Sequence, residues 1–182
     1  MLMNTPICDF GWQAPAFTLK DPDGKAYSLE DNIGEKGFLI AFICNHCPYV
    51  QAIIDRLVAD AKVLQKEGFK VLAIMSNDYT YVPSDSPDKM KQFASQHKFT
   101  FPYLVDEDQS VGKAYDAVCT PDFFGFNAQG QLQYRGRLDN IGMSNKTDER
   151  KTELLDAMLQ VSSTGKGPLE QIPSMGCSIK WK

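Results

Sequence analysis

The chain has no apolar stretch near the roughly 18 residues that a membrane-spanning helix requires. It has no basic run and only two histidines, His46 and His97. The first absence excludes a spanning helix. The second, with a net charge of −4, argues against nucleic acid or a membrane surface as a partner. There is no internal repeat and no low-complexity tract. Residues Met1 to Phe17 lack a positive cluster followed by an apolar run and carry Asp9, Gln13 and two prolines, so no secretory signal is expected. The expected setting is the cytoplasm, where thiols stay reduced unless they are catalytic or bind metal. The cysteine count is odd, at five, which argues against a structural disulfide framework.

What is present is ordinary globular material: 182 residues, 43% hydrophobic and 23% charged. That length predicts one domain, read as residues 1–166, with a tail over 167–182 packed on it. Two short alternating segments around Asp21-Pro22-Asp23-Gly24 predict an N-terminal hairpin. Phe38 to Ile43 is an unbroken apolar run, as a strand buried on both faces would be. After Cys44-Asn45-His46-Cys47-Pro48 a stripe of Val50, Ile53, Ile54, Leu57, Val58, Ala61 and Leu64 predicts an amphipathic helix over Tyr49–Gln65. Phe69 to Met75 reads as a second buried strand, completing a βαβ unit with parallel strands. Ser86-Pro87 predicts the start of another helix.

The second half predicts a short extended piece at Phe101–Val105 and a brief helix around Val111–Tyr115. Phe123–Phe126 and Leu132–Arg137 predict a hairpin, the latter strand half exposed with Gln133 and Arg135 outward. A last helix is expected around Leu154–Leu159. A βαβ half followed by a ββα half makes a mixed sheet flanked by helices. The prolines and glycines after Gly167 predict a tail without regular structure, pinned by Ile179 and Trp181. Such packing would bring Cys177 toward the Cys44–Cys47 region, with a structural role as the default expectation.

Cys44 and Cys47 form a CxxC at a strand-to-helix junction. Free backbone N–H groups and the helix dipole at such a junction favour a thiolate, which predicts that Cys44 is the more acidic thiol. Cys47, one turn along, would lie within disulfide reach and resolve a mixed disulfide. The residues leave other readings open: half of a zinc site with His46 or His97, or two inert buried thiols. His46 is either an exposed helix-start residue or an imidazole that stabilises the Cys44 thiolate. Cys8 reads as a near-terminal bystander, Cys119 as a small buried residue, and His97 as a core-edge histidine.

Several segments together carry a family resemblance. They are Gln13-Ala14-Pro15-Ala16-Phe17-Thr18-Leu19, Cys44-Asn45-His46-Cys47-Pro48-Tyr49-Val50, Val118-Cys119-Thr120-Pro121-Asp122-Phe123-Phe124, Tyr134-Arg135-Gly136-Arg137 and Gly176-Cys177-Ser178-Ile179-Lys180-Trp181. The chain resembles the thioredoxin-like redoxin, or AhpC/TSA, proteins of the peroxiredoxin-like branch with a CxxC. The resemblance implies an α/β thioredoxin fold with an N-terminal β-hairpin extension and thiol–disulfide or antioxidant chemistry at the pair. It also implies that Pro121 is a cis-proline facing the pair, with Thr120 offering its backbone to a substrate segment. In the resulting reading Cys44 and Cys47 are catalytic, and Thr120 and Pro121 bind substrate. No cofactor or metal is called for. The expected partners are a disulfide-bearing protein or small-thiol substrate and a cellular dithiol reductant. The alternatives are a thiol peroxidase with Cys47 as the peroxidatic residue, and a non-catalytic metal-binding or interaction module. For the peroxidase, Cys44 would stand in the family's Thr slot and Ile40 in its Pro slot, with no Arg between Ala117 and Phe126.

Overall fold

The computed structural model describes all 182 residues. In chain order the strands and helices are β1 (Leu2–Asn4), β2 (Thr18–Lys20), β3 (Ala26–Ser28), β4 (Gly37–Phe42), α1 (Pro48–Lys66), β5 (Phe69–Met75), α2 (Pro87–Gln96), β6 (Tyr103–Val105), α3 (Ser110–Ala114), β7 (Cys119–Thr120), β8 (Asp122–Asn127), β9 (Leu132–Tyr134), α4 (Glu153–Thr164) and β10 (Met175–Ser178). No helix is long and apolar enough to cross a membrane.

Seven strands form the main sheet, in the order β3-β2-β6-β5-β4-β8-β9. The apolar run is its central strand, β4, parallel to β5 and antiparallel to β8. Side chains alternate along it. Phe38, Ile40 and Phe42 enter one core with Phe124, Phe126 and Tyr115, whereas Leu39, Ala41 and Ile43 enter the other with α1, α2 and α4. Burial on both faces is why the strand carries no polar residue. Each fully buried large apolar side chain contributes roughly 1.5–3 kcal/mol, so this strand and the α1 stripe anchor the fold. The N-terminal hairpin, β2 and β3, extends the sheet beyond β6.

A second sheet is small, with the order β1-β10-β7. It corrects the expectation of a tail without regular structure. Met175-Gly176-Cys177-Ser178 has little intrinsic strand preference, but antiparallel partners on both sides supply its backbone bonds. Ile179 is buried as expected; Trp181 is 40% exposed and does not act as a core anchor.

The β9 region also differs. The strand ends at Tyr134, and Gln133 and Arg135 are buried rather than outward. Residues Gly167 and Gln171 of the tail cover this edge: the Gly167 N–H donates to the Gln133 side chain, the Gln171 side chain to the Gln133 carbonyl, and the Arg135 N–H to the Gln171 side chain. The Arg135 guanidinium bonds the buried carboxylate of Asp122 at 3.0 Å and lies over the Phe124 ring. A charged residue is accommodated there because its charge is paired and its donors are used.

Candidate active site

β4 delivers the chain to the centre of the molecule, and the Cys44–Cys47 turn links it to α1. Cys47 is the N-cap of that helix, with Pro48 in the first helical position, where the missing N–H costs nothing. The Val50 and Gln51 N–H groups bond the Cys47 carbonyl. The helix therefore begins at Cys47, and Cys44 lies before it. Both thiols are completely buried. They converge on one residue of β7. The Cys44 sulfur is 3.4 Å from Thr120 Oγ1, and the Cys47 thiol donates to the Thr120 carbonyl at 3.3 Å. The Thr120–Pro121 bond is cis.

The surroundings of the two thiols favour ionisation at Cys47 over Cys44, the thiol expected to be the more acidic. Cys47 is pulled well below the ordinary thiol value by the hydrogen bond from Cys44, against burial, with further help from Thr120 and the Cys177 and Val50 backbone N–H groups. Cys44 is pushed up by its hydrogen bond to Cys47, by burial, and by the negative charge of Asp85. Position acts in the same direction, because the free N–H groups of α1 gather at the N-cap and the dipole falls off within the first turn.

Asp85 is the residue that sequence reasoning missed. It lies in a Pro83-Ser84-Asp85-Ser86-Pro87 turn, a composition that reads as a solvated loop. In the structure it is 0% exposed and organises the cysteine turn. Its carboxylate accepts from the Asn45 N–H at 2.8 Å, the His46 N–H at 3.2 Å and the Asn77 side chain at 3.0 Å, and meets His46 Nδ1 at 2.5 Å. Burial pushes its pKa up, but these bonds, led by His46 and Asn77, outweigh it and hold the carboxyl below the ordinary value. His46 is raised by the bond to Asp85, against its own burial. Asn45 completes the support: it receives the Tyr103 hydroxyl at 2.9 Å and donates to the Ser84 carbonyl at 3.0 Å.

Cys44, His46 and Asp85 place ligand-type atoms within 4.8 Å of one another. His97, the other histidine of the zinc reading, lies elsewhere, on Asp55 and against the Phe93 ring. The Asp85 oxygens are already engaged by four protein groups, so the set fits a hydrogen-bonded turn better than a metal centre. Cys119 is buried, with its thiol pushed up to about 12 by burial, and Cys8 is raised to about 11 for the same reason. Neither hydrogen-bonds the pair. Cys177 does lie at the site: it stands opposite Thr120 in the β10–β7 pairing, and its thiol and backbone N–H face the Cys47 sulfur.

Pro121 also walls a cavity of about 470 Å³ at the start of α1, shared with Tyr49, Ile53, Phe123, Ile141 and Met175. Thr120 is in a different position from the one expected. Its strand is paired with the chain's own β10, so its backbone is not open to a substrate segment.

Comparison with known proteins agrees with this architecture. The model of the AhpC/TSA family matches residues 10–135. The crystal structure of an uncharacterized conserved protein from Geobacillus kaustophilus is similar over the whole chain, with a TM-score of 0.92 and 41% identity, covering 100% of this chain and 97% of that one. The thioredoxin domain of a thiol-disulfide oxidoreductase from Bacteroides vulgatus shares the fold, with a TM-score of 0.65 at 17% identity, over 84% of this chain and 97% of that one. Peroxiredoxin Bcp of Escherichia coli is 27% identical over 148 residues, 74% of this chain and 88% of that protein. With a mixed sheet, a cysteine turn at a helix start, a facing cis-proline and a family match across most of its length, the chain belongs to the AhpC/TSA family of thioredoxin-fold redox proteins.

Proposed function

We propose that this protein is a thiol–disulfide oxidoreductase whose Cys44–Cys47 pair cycles between dithiol and disulfide. The observation that carries the reading is the convergence of both sulfurs on Thr120, beside Pro121 and at the start of α1. Cys47 gives up the proton that it donates to the Thr120 carbonyl and makes the first attack, as thiolate, on a disulfide sulfur. Cys44, its proton lost, then attacks Cys47 Sγ, and the substrate leaves as a thiol. Two protein thiols are oxidised and one external disulfide becomes two thiols. These roles reverse the ones expected from the motif alone.

A peroxidase is less well supported, because the nearby arginines are committed elsewhere: Arg137, which lines the cavity beside Pro121, is paired with Glu153. The Arg135 guanidinium is held by Asp122 and by the Asp116 carbonyl, and no arginine hydrogen-bonds either sulfur. The cavity beside Pro121 falls in the usual range for small-ligand sites, and its mixed walls, apolar at Tyr49, Ile53 and Phe123 and polar at Arg137, Asp139 and Asn140, suit a residue flanking a substrate cysteine. The partners in this reading are a disulfide-bearing protein or small thiol and a dithiol reductant, and the cytoplasm is the proposed setting.

The test is parallel reduction of a model disulfide and of hydrogen peroxide by the purified protein. Disulfide turnover is expected, with a peptide spanning Cys44 and Cys47 that has lost two hydrogens on oxidation, and Cys47→Ser should be inactive. Peroxide consumption that outpaces disulfide reduction, with a sulfenic acid accumulating on Cys47 in Cys44→Ser, would replace this reading with the peroxidase.

A further inference from the structure

The buried pair has a geometric problem. Cys44 and Cys47 are both 0% exposed, so direct exchange of an external sulfur with either one is slow. The same region holds a third thiol that is half-buried rather than buried, Cys177. It is placed by β10, which lies antiparallel to β7 with Cys177 opposite Thr120, the residue that touches both members of the pair. Gly176 makes this approach possible: a Cβ there would lie 2.0 Å from the Thr120 carbonyl oxygen. The strand is secured on both sides of Cys177. Ser174 Oγ donates to the Pro121 carbonyl at 2.7 Å, and the Lys180 N–H donates to Asn77, which in turn bonds Asp85. An extended segment that presents a cysteine to a redox pair across β-type backbone pairing is the arrangement of an extended peptide added to an exposed strand. Here the segment belongs to the same chain.

We propose that Cys177 is a third redox-active thiol, which forms a reversible disulfide with Cys47 and connects the buried Cys44–Cys47 pair to external thiols and disulfides. The proposal rests on the redox reading of the pair. Re-reduction runs in three exchanges. The Cys177 thiolate attacks Cys47 Sγ of the Cys44–Cys47 disulfide; the Cys47–Cys177 bond forms, and Cys44 leaves and takes up the proton that Cys177 gave up. An external thiolate attacks Sγ of the half-buried Cys177, forming a mixed disulfide and releasing Cys47 as thiolate. A second external thiolate attacks the external sulfur of that mixed disulfide, and Cys177 leaves. Two external thiols become one disulfide, and the protein regains its dithiol. Run in reverse, the same steps reduce a substrate disulfide. The stabilised Cys47 thiolate is the good leaving group that the second step needs.

The test uses glutathione disulfide and glutathione as probes. Oxidised Cys44→Ser should yield a Cys47–Cys177 linked peptide after acid quenching and alkylation. Cys44→Ser/Cys177→Ser should instead keep glutathione on Cys47. In Cys177→Ser and Cys177→Ala, the Cys44–Cys47 disulfide should still form at equilibrium, but its reduction by glutathione should slow at least about tenfold, the expected loss of an intramolecular step. If Cys44→Ser carries glutathione on Cys47 while Cys177 stays free, or if both Cys177 variants are reduced at the wild-type rate, the relay is overturned and the pair chemistry stands. If the wild type forms neither Cys44–Cys47 nor Cys47–Cys177 disulfide, both readings fall.

Discussion

The two sheets of this protein are held by different forces. The seven-stranded sheet is an apolar construction: β4 and β8 are buried along their full length, Phe38 and Phe124 stack with Phe126, and Phe42 meets Phe124 edge-on. The three-stranded sheet is short: Cys119, Thr120, Gly176, Cys177 and Ser178 are small or polar, and its larger apolar residues Leu2 and Met175 are exposed. It buries little hydrocarbon and depends on close backbone approach. Yet the thiols face the small sheet. Stability and chemistry are thus assigned to different parts of one molecule, and the cysteine turn is the place where they meet. An apolar strand fixes the pair, while a strand held by backbone pairing covers it.

The strongest way to break this comparison is to damage the large sheet. Phe124→Ala should lower stability by about 3–5 kcal/mol in urea unfolding, the usual loss for a buried phenylalanine. The Cys47 thiolate, followed by its ultraviolet absorbance, should persist in the folded fraction. A normal thiol titration at Cys47 in that variant would mean that the two regions are not separable.

Next in size is Asp85→Ala, in the turn between them. Removing a buried carboxylate strands the Asn45 and His46 backbone donors and the Asn77 side chain, at a cost of roughly 2–3 kcal/mol. Crystallography or amide exchange should find the Cys44–Cys47 turn loosened while α1 beyond Ile53 stays protected. A variant with an unchanged turn would show that Asp85 does not position it.

A smaller effect, about 1–2 kcal/mol from steric crowding, is expected from Gly176→Ala. Its Cβ would collide with the Thr120 carbonyl, so β10 should lift from β7. Amide exchange should accelerate at Cys119, Cys177 and Ile179 and be unaltered in β4 and β5. Uniform acceleration across both sheets would sink the idea that the small sheet is held separately.

The smallest effect is a pH dependence. The His46 pKa is raised above its ordinary 6.5 by Asp85. Its contribution to stability is therefore fully present below pH 6.5 and lost as pH rises through the higher folded value. Asp85, held below 3.8, contributes above that pH and loses its contribution as pH falls through its lower folded value. His46→Gln should flatten the alkaline side of a stability–pH curve by about 1 kcal/mol or less, in line with one partly exposed charged hydrogen bond. An identical alkaline slope in the variant would remove His46 from this role.

Much of the fold was legible because local patterns carried it. The Phe38–Ile43 run, the stripe from Val50 to Leu64 and the Asp21–Gly24 turn each correspond to an observed element. The site was legible in part. Cys44, Cys47 and Pro121 could be singled out from the strand–CxxC–helix order and the family resemblance, and the structure places them together. Asp85 could not, since an aspartate between prolines in a polar loop carries no mark of burial. Arg135 was read outward because strand alternation assumes an open edge, and only the distant Gly167–Gln171 segment closes that edge.

The sequence by itself determined which strands are buried, where α1 runs, and that two thiols sit where a helix starts, because those features follow from periodicity and chain order. Tertiary structure alone decided what holds the turn and what covers it. Cys47 rather than Cys44 became the N-cap by the placing of one helix start. Asp85, 38 residues beyond Cys47 in sequence, reached the turn through the fold. Cys177 reached the pair through strand pairing between a tail and a two-residue strand. Such pairing depends on backbone hydrogen bonds and a missing Cβ, and these leave no periodic signal in a sequence.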